Sequence, residues 1–181
     1  MKFRSKRLVV LGAVIAAAAA VAVPVALAVT FSGTLSVTDA KQHDRLIRDG
    51  SPSGCHGKLN PGLVGDGHIR PYDRYRLTNH AGSAMCVHVF LQHNCNPFNA
   101  FSQANSTFIP TNPSANYLGD AGQSGSPQSF SFTVGAGHSF DVVVSEVGQG
   151  GQHALPCPYR LTVTIGGQHT FVASSGSGGT D

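Results

Sequence analysis

From Gln128 to Val147 almost every second residue is large and apolar, and one short glycine turn divides the run. Phe130, Phe132 and Val134 alternate with Ser129, Ser131 and Thr133; Gly135-Ala136-Gly137 follows, and Phe140, Val142 and Val144 resume the pattern. Side chains two apart share one face of a strand, so this spacing predicts two half-buried strands joined by a tight turn. Pro156 to Gly166 repeats it, with Tyr159, Leu161, Val163 and Ile165 inward and Arg160, Thr162 and Thr164 outward. In Ala84 to Leu91 both faces are largely apolar: Met85, Val87, Val89 and Leu91 on one, Cys86, His88 and Phe90 on the other. That strand is expected at the centre of a sheet. Thr30–Val37 and Tyr72–Asn79 read as two more strands, the latter with Tyr75 and Leu77 inward. The expectation is an all-β fold, an antiparallel two-sheet sandwich of jelly-roll-like type.

Between these strands the chain is rich in breakers. Residues 38–71 carry Asp49-Gly50, Ser51-Pro52, Asn60-Pro61-Gly62, Gly65 and Gly67 and read as a long loop. Residues 92–127 read as irregular, with apolar anchors at Phe98, Phe101, Phe108, Ile109, Tyr117 and Leu118. The N-terminus is of another kind. Lys2, Arg4, Lys6 and Arg7 precede an uncharged stretch from Leu8, and Ala26-x-Ala28 has the small-x-small form of a secretory cleavage site. The same stretch is long enough for an uncleaved signal-anchor. The expected organisation is a signal peptide or signal-anchor over 1–28, a β-sandwich domain over 29–173, and a flexible tail over 174–181. The protein is expected to be secreted or at the cell surface, membrane-anchored if the leader is retained.

The chain has 12 Lys plus Arg against 9 Asp plus Glu. Four of the basic residues lie in the leader and none of the acids do, so the remainder is close to neutral. No basic run survives outside the leader, which argues against a nucleic-acid partner. All four cysteines follow the leader, and export favours disulfides. Three complete pairings exist, and one bridge plus two free thiols is a further arrangement.

Several segments carry a pattern beyond simple alternation. They are Tyr72-Asp73-x-Tyr75-x-Leu77-Thr78-Asn79, Cys86-Val87-x-Val89, Asn116-Tyr117-Leu118-Gly119-Asp120-x-Gly122, Phe130-x-Phe132-x-Val134 with Phe140-x-Val142-Val143-Val144, and Cys157-x-Tyr159-x-Leu161-x-Val163. Together they resemble exported bacterial β-sandwich modules, the pre-peptidase C-terminal domains found beside secreted proteases and adhesins. The resemblance covers roughly Gly33 to Gly166 and implies a fold without catalytic residues. In such modules a close cysteine pair often precedes the position of Tyr72, and another cysteine precedes Asn116. Here Cys55 has no near neighbour, and the second position reads Pro113-Ser114-Ala115. The resemblance therefore implies a Cys86–Cys157 bridge, with Cys55 and Cys95 paired by default or reduced.

Nine histidines make a metal site worth weighing. Cys86, His88, His93 and Cys95 have spacings that suit same-face ligands, and would converge if the chain turned sharply after residue 91. Asp73 and Asp120 are the best oxygen ligands for calcium, the one cofactor considered, although Asp120 before Ala121-Gly122 also suits a turn cap. Gly122-Gln123-Ser124-Gly125 only partly matches the nucleophile elbow, and no strand-to-helix step surrounds it. Asn105-Ser106-Thr107 is a formal glycosylation sequon in an expected loop. The expected function is non-enzymatic: an extracellular structural, adhesion or binding module. Its partner would be an extracellular protein or polysaccharide, or a second copy of itself. The alternatives are a calcium-dependent carbohydrate- or protein-binding domain, and a secreted hydrolase with an unrecognised site.

Overall fold

A computed structural model describes residues 27–95, 100–148 and 155–166. Among them there are nine strands: β1 (Leu27–Leu35), β2 (Lys41–His43), β3 (Ile69–Thr78), β4 (Met85–His93), β5 (Ala100–Asn105), β6 (Tyr117–Asp120), β7 (Gln128–Val134), β8 (Ser139–Glu146) and β9 (Cys157–Ile165). They form a four-stranded sheet in the order β1-β9-β4-β7 and a five-stranded sheet in the order β2-β3-β8-β5-β6. Every pairing is antiparallel. The all-β sandwich read from the alternation is the fold. No helix among the described residues is long and apolar enough to cross a membrane. The leader up to Ala26 and the tail over 174–181 lie outside the described residues.

The core follows from the period of two. Val87, Val89 and Leu91 of β4, Phe130, Phe132 and Val134 of β7, and Leu161 and Val163 of β9 face Phe140, Val142 and Val144 of β8. Phe132 meets Phe140 edge-on at 5.3 Å between ring centres, so the two sheets interlock through aromatic rings. As expected, β4 is flanked on both sides, by β7 and β9.

Three strands lie where the sequence reads as loop. β2 is only three residues long. β6 is four residues of modest apolarity. β5, Ala-Phe-Ser-Gln-Ala-Asn, is buried at every position although half its side chains are polar. Their donors are bonded locally, while Gln103 Oε1 has no partner. Gln128 Oε1 accepts from Ser102 N (3.1 Å) and Oγ (2.9 Å), and Gln103 Nε2 donates to Pro113 O at 2.9 Å. Asn105 Nδ2 donates to Pro113 O (3.0 Å) and Ala115 O (2.8 Å). The amides thus hold the 106–116 loop over the strand. Asn105, the last residue of β5, is fully buried, so the sequon's asparagine is not on the loop and its amide is already occupied.

The long stretch before β3 is also ordered by its contacts. Leu46 and Leu63 cover Phe101 and Val147 on the outside of the five-stranded sheet, forming a second small core. Arg70, fully buried, donates to Asp66 Oδ1 at 3.0 Å and also contacts Asp66 Oδ2. This pairing holds the Asp66 carboxyl well below its ordinary value, down to about 2.

Candidate functional site

Two sides of the sandwich differ in how their strand edges are finished. On one side β6 and β7 are the free edges of the two sheets. Residues 49–58 run between them as a strap. Ser53 N donates to Asp120 O of β6 at 2.9 Å, and Ser53 O accepts from Ser131 N of β7 at 2.9 Å. One residue therefore supplies backbone bonds to both sheets. Thr133 Oγ1 adds a bond to Cys55 O at 2.7 Å. Gly122 lets the strap come close: it has φ +68°, its carbonyl accepts from Gly50 N at 2.9 Å, and any Cβ there would collide with the Ser51 backbone.

A polar cluster locks this strap. Lys58 Nζ donates to Asp49 Oδ1 (2.7 Å), Ser51 O (2.6 Å) and Asp120 Oδ1 (3.1 Å). Asp120 is fully buried, and it also accepts from Gly122 N at 2.5 Å and from the Tyr117 hydroxyl. Ser53 Oγ receives Asp120 N at 2.9 Å. Burial and the neighbouring Asp120 carboxylate raise the Tyr117 hydroxyl above its ordinary value, so it serves as a donor. The Lys58 contact lowers Asp49. Asp120, named above for calcium, is thus capped by its own turn and paired with a lysine. Lys58, Ser53 and Tyr117 escape sequence reasoning; the one available signal is a lone lysine in a Gly/Pro-rich loop.

The cysteines correct the expected pairing. Cys55 joins Cys86, and Cys95 joins Cys157, with Cα separations of 5.6 and 4.8 Å. Cys86–Cys157 is excluded by register and by face. Val87 lies opposite Ile165, which sets Cys86 level with Gly166, nine residues along from Cys157 and roughly 30 Å away at strand rise. Cys86 also points outward while Cys157 points into the core. Because His93 faces Tyr159, the same register carried two residues further brings Cys95 opposite Cys157. Two disulfides are consistent with an extracellular protein.

The ligand set Cys86, His88, His93 and Cys95 does not assemble. Both cysteines are oxidised, in different bridges, and the two pairs lie at opposite ends of β4. His88 Nδ1 pairs with Ser131 Oγ at 2.6 Å on the outer face. His93 faces inward, 6% exposed, beside the Cys95–Cys157 bridge, and forms part of the wall of a cleft of about 400 Å³. Burial lowers its pKa, with the backbone at Gly125 and Ser124 acting weakly in the other direction. Ser124, the serine of the partial elbow, is buried and contacts the Arg48 guanidinium, which cannot act as a base.

Asp73 lies on the other side of the sandwich, far from Asp120. Its Oδ2 accepts from Tyr159 OH at 2.5 Å, and Tyr159 OH meets Tyr75 OH at 2.6 Å. This chain crosses from β9 to β3. Burial raises Asp73, and the Tyr159 bond opposes that. Tyr159 itself is raised by burial and then by Asp73. Gly33 lies opposite Tyr159 in the β1–β9 ladder and leaves room for the ring, since a Cβ would overlap it.

Beyond these residues β1 is the edge. It pairs with β9 over nine residues with no bulge, and among the described residues no strand pairs with its other side. Leu-Ala-Val-Thr-Phe-Ser-Gly-Thr-Leu has no charge and no proline. Leu27, Val29 and Phe31 line a groove of about 350 Å³ with Leu77, Val163 and Ile165. The expected cleavage point at Ala28 falls inside β1 and would leave Val29–Leu35 of it. No protein-family model, curated protein or solved structure matches the chain.

Proposed function

We propose that this protein is a non-enzymatic extracellular assembly module, and that it associates with a second copy of itself by pairing β1 edge to edge. The observation that carries this reading is the β1 edge, which no strand pairs among the described residues. Exposed strand edges are ordinarily blunted by charge, proline, bulges or shortness, because they template pairing with another chain. β1 has none of these devices. Two copies of an uncharged strand meet antiparallel without like-charge repulsion, and such a pairing is isologous. The chain without its leader is nearly neutral, which further favours association. The flanking groove supplies apolar surface beside the new ladder.

Sedimentation velocity across a concentration series tests the reading. The expected result is a monomer–dimer equilibrium that the double substitution Thr30→Lys, Thr34→Lys abolishes while the strand signal in circular dichroism persists. Both positions are exposed on the outer face of β1, so the lysines act on the edge and not on the core. A wild-type chain that stays monomeric at all concentrations, or a lysine variant that associates equally well, would overturn it.

A further inference from the structure

The Cys95 end of the sandwich is used neither by the strap nor by the β1 edge. There a ring nitrogen of His93 and the Sγ atoms of Cys95 and Cys157 all lie within 4.8 Å of one another. His93 is 6% exposed, and its ring nitrogens make no well-formed hydrogen bond, with only the backbone at Gly125 and Ser124 near them. A buried polar group without a partner is costly and calls for an explanation. Cys95 lies two residues beyond His93, the last residue of β4, and is bridged to Cys157, the first residue of the neighbouring β9. The cleft beside them is open to solvent and has Ser126, Tyr159 and Arg160 in its walls.

We propose that reduction of the Cys95–Cys157 disulfide turns this end of the sandwich into a site for a thiophilic divalent ion, with Zn²⁺ bound by His93, Cys95 and Cys157. Tetrahedral zinc takes thiolate at about 2.3 Å and imidazole at about 2.0 Å, which sets ligand atoms roughly 3.5–3.8 Å apart. The three atoms here need only small side-chain movements to reach that spacing once the S–S bond opens. Two thiolates cancel the charge of the ion, so the complex is neutral where it is buried. The fourth position faces the cleft and is open to water. The proposed site uses His93 and Cys95 of the expected ligand set, with Cys157 in place of Cys86 and His88.

The redox step balances with a dithiol as reductant. The dithiol gives two electrons and two protons, the S–S bond breaks to two thiols, and the reductant closes to its own disulfide. Zn²⁺ then displaces the two thiol protons to solvent, and neutral His93 donates a lone pair. A small-molecule disulfide reverses the step: it accepts the two electrons and is reduced to its dithiol, the Cys95–Cys157 bond re-forms, and the ion is released.

The test uses the chain carrying Cys55→Ala and Cys86→Ala, so that only the Cys95–Cys157 bridge remains. Oxidised and dithiol-reduced samples, freed of reductant without air, are titrated with Co²⁺ and then Zn²⁺, with circular dichroism recorded throughout. The reduced chain should take up one Co²⁺ with a thiolate-to-cobalt charge-transfer band that Zn²⁺ bleaches, and the oxidised chain none. His93→Gln in the reduced chain should weaken binding at least about 10-fold, the lower end of what outer-sphere changes alone cost. Absence of stoichiometric binding, equal binding by His93→Gln, or a loss of strand signal on reduction that Zn²⁺ does not restore would each overturn the proposal. Should the double alanine chain not fold, the titration is run on Cys157→Asp, which keeps the Cys55–Cys86 bridge and offers Co²⁺ the His93 imidazole, the Cys95 thiolate and a carboxylate. A thiolate-to-cobalt band that is lost with His93→Gln supports the site, and absence of the band, or its persistence with His93→Gln, overturns it.

Discussion

The two sides of this sandwich solve the same problem in opposite ways. Where β6 and β7 end the sheets, residues 49–58 bond to both edges, a disulfide anchors the strap to β4, and Lys58 is held by Asp49 and Asp120. Where β1 ends its sheet, the outer ladder positions have no partner among the described residues, and the contact between sheets is a hydrogen-bonded chain of Tyr159, Tyr75 and Asp73. One side is closed by covalent and ionic means, the other by packing around a glycine. On the proposed function, association uses the open side and leaves the closed one alone.

Breaking the closed side should have the largest effect. Asp120→Ala leaves Lys58, whose side chain is 11% exposed, with Asp49 as its remaining carboxylate, leaves Tyr117 with Ser53 alone, and removes the acceptor of the Gly122 amide. A cost of about 3 kcal/mol or more is expected in chemical denaturation, because several buried donors lose an acceptor at once. Replacing Cys55 and Cys86 by alanine opens a loop of 31 residues and should cost about 3–4 kcal/mol in the chain-entropy model. Both changes should loosen β7 amides such as Ser131 without altering β1.

The open side should respond less. Gly33→Ala forces the Tyr159 ring from its place and is expected to cost about 1–3 kcal/mol in chemical denaturation. The acids of the two sides should give opposite pH dependences. Asp49 is lowered by Lys58, so its contribution is present above its ordinary value of 3.8 and is lost as pH falls through its folded value. Asp73 is raised by burial, so its favourable state is the protonated one, fully present below 3.8 and lost as pH rises through its folded value. In stability measured against pH, Asp49→Asn should flatten part of the acid loss, and Asp73→Asn should improve stability relative to wild type toward neutral pH. The same direction of change for both would contradict the contrast.

Much of the fold is legible in the sequence because its core strands obey a strict period of two. β3, β4, β7, β8 and β9 are all found within a few residues of the expected positions. β5 escapes because Ser102, Gln103 and Asn105 look like loop residues until their partners in Gln128 and the 106–116 loop are known. The cysteine pairing escapes for a related reason. Cys86 shares a face with His88 and Phe90, which looks apolar enough to be inside; it is in fact exposed, and its partner Cys55 comes from the strap over residues 49–58, far away in sequence. Parity within each strand separates Cys86 from Cys157, but only register shows Cys95 to be level with Cys157. Asp120 is legible as a turn cap, whereas its pairing with Lys58 spans 62 residues and has no local signature.

The central claim is that β1 is the edge on which copies meet, and hydrogen exchange followed with increasing protein concentration tests it most directly. Every second amide of β1 should exchange quickly in dilute protein and become protected as concentration rises, while Ser131 and its neighbours in β7 remain protected throughout by the strap. Protection of β1 that does not change with concentration, or concentration-dependent protection that appears in β7 instead, would contradict the account.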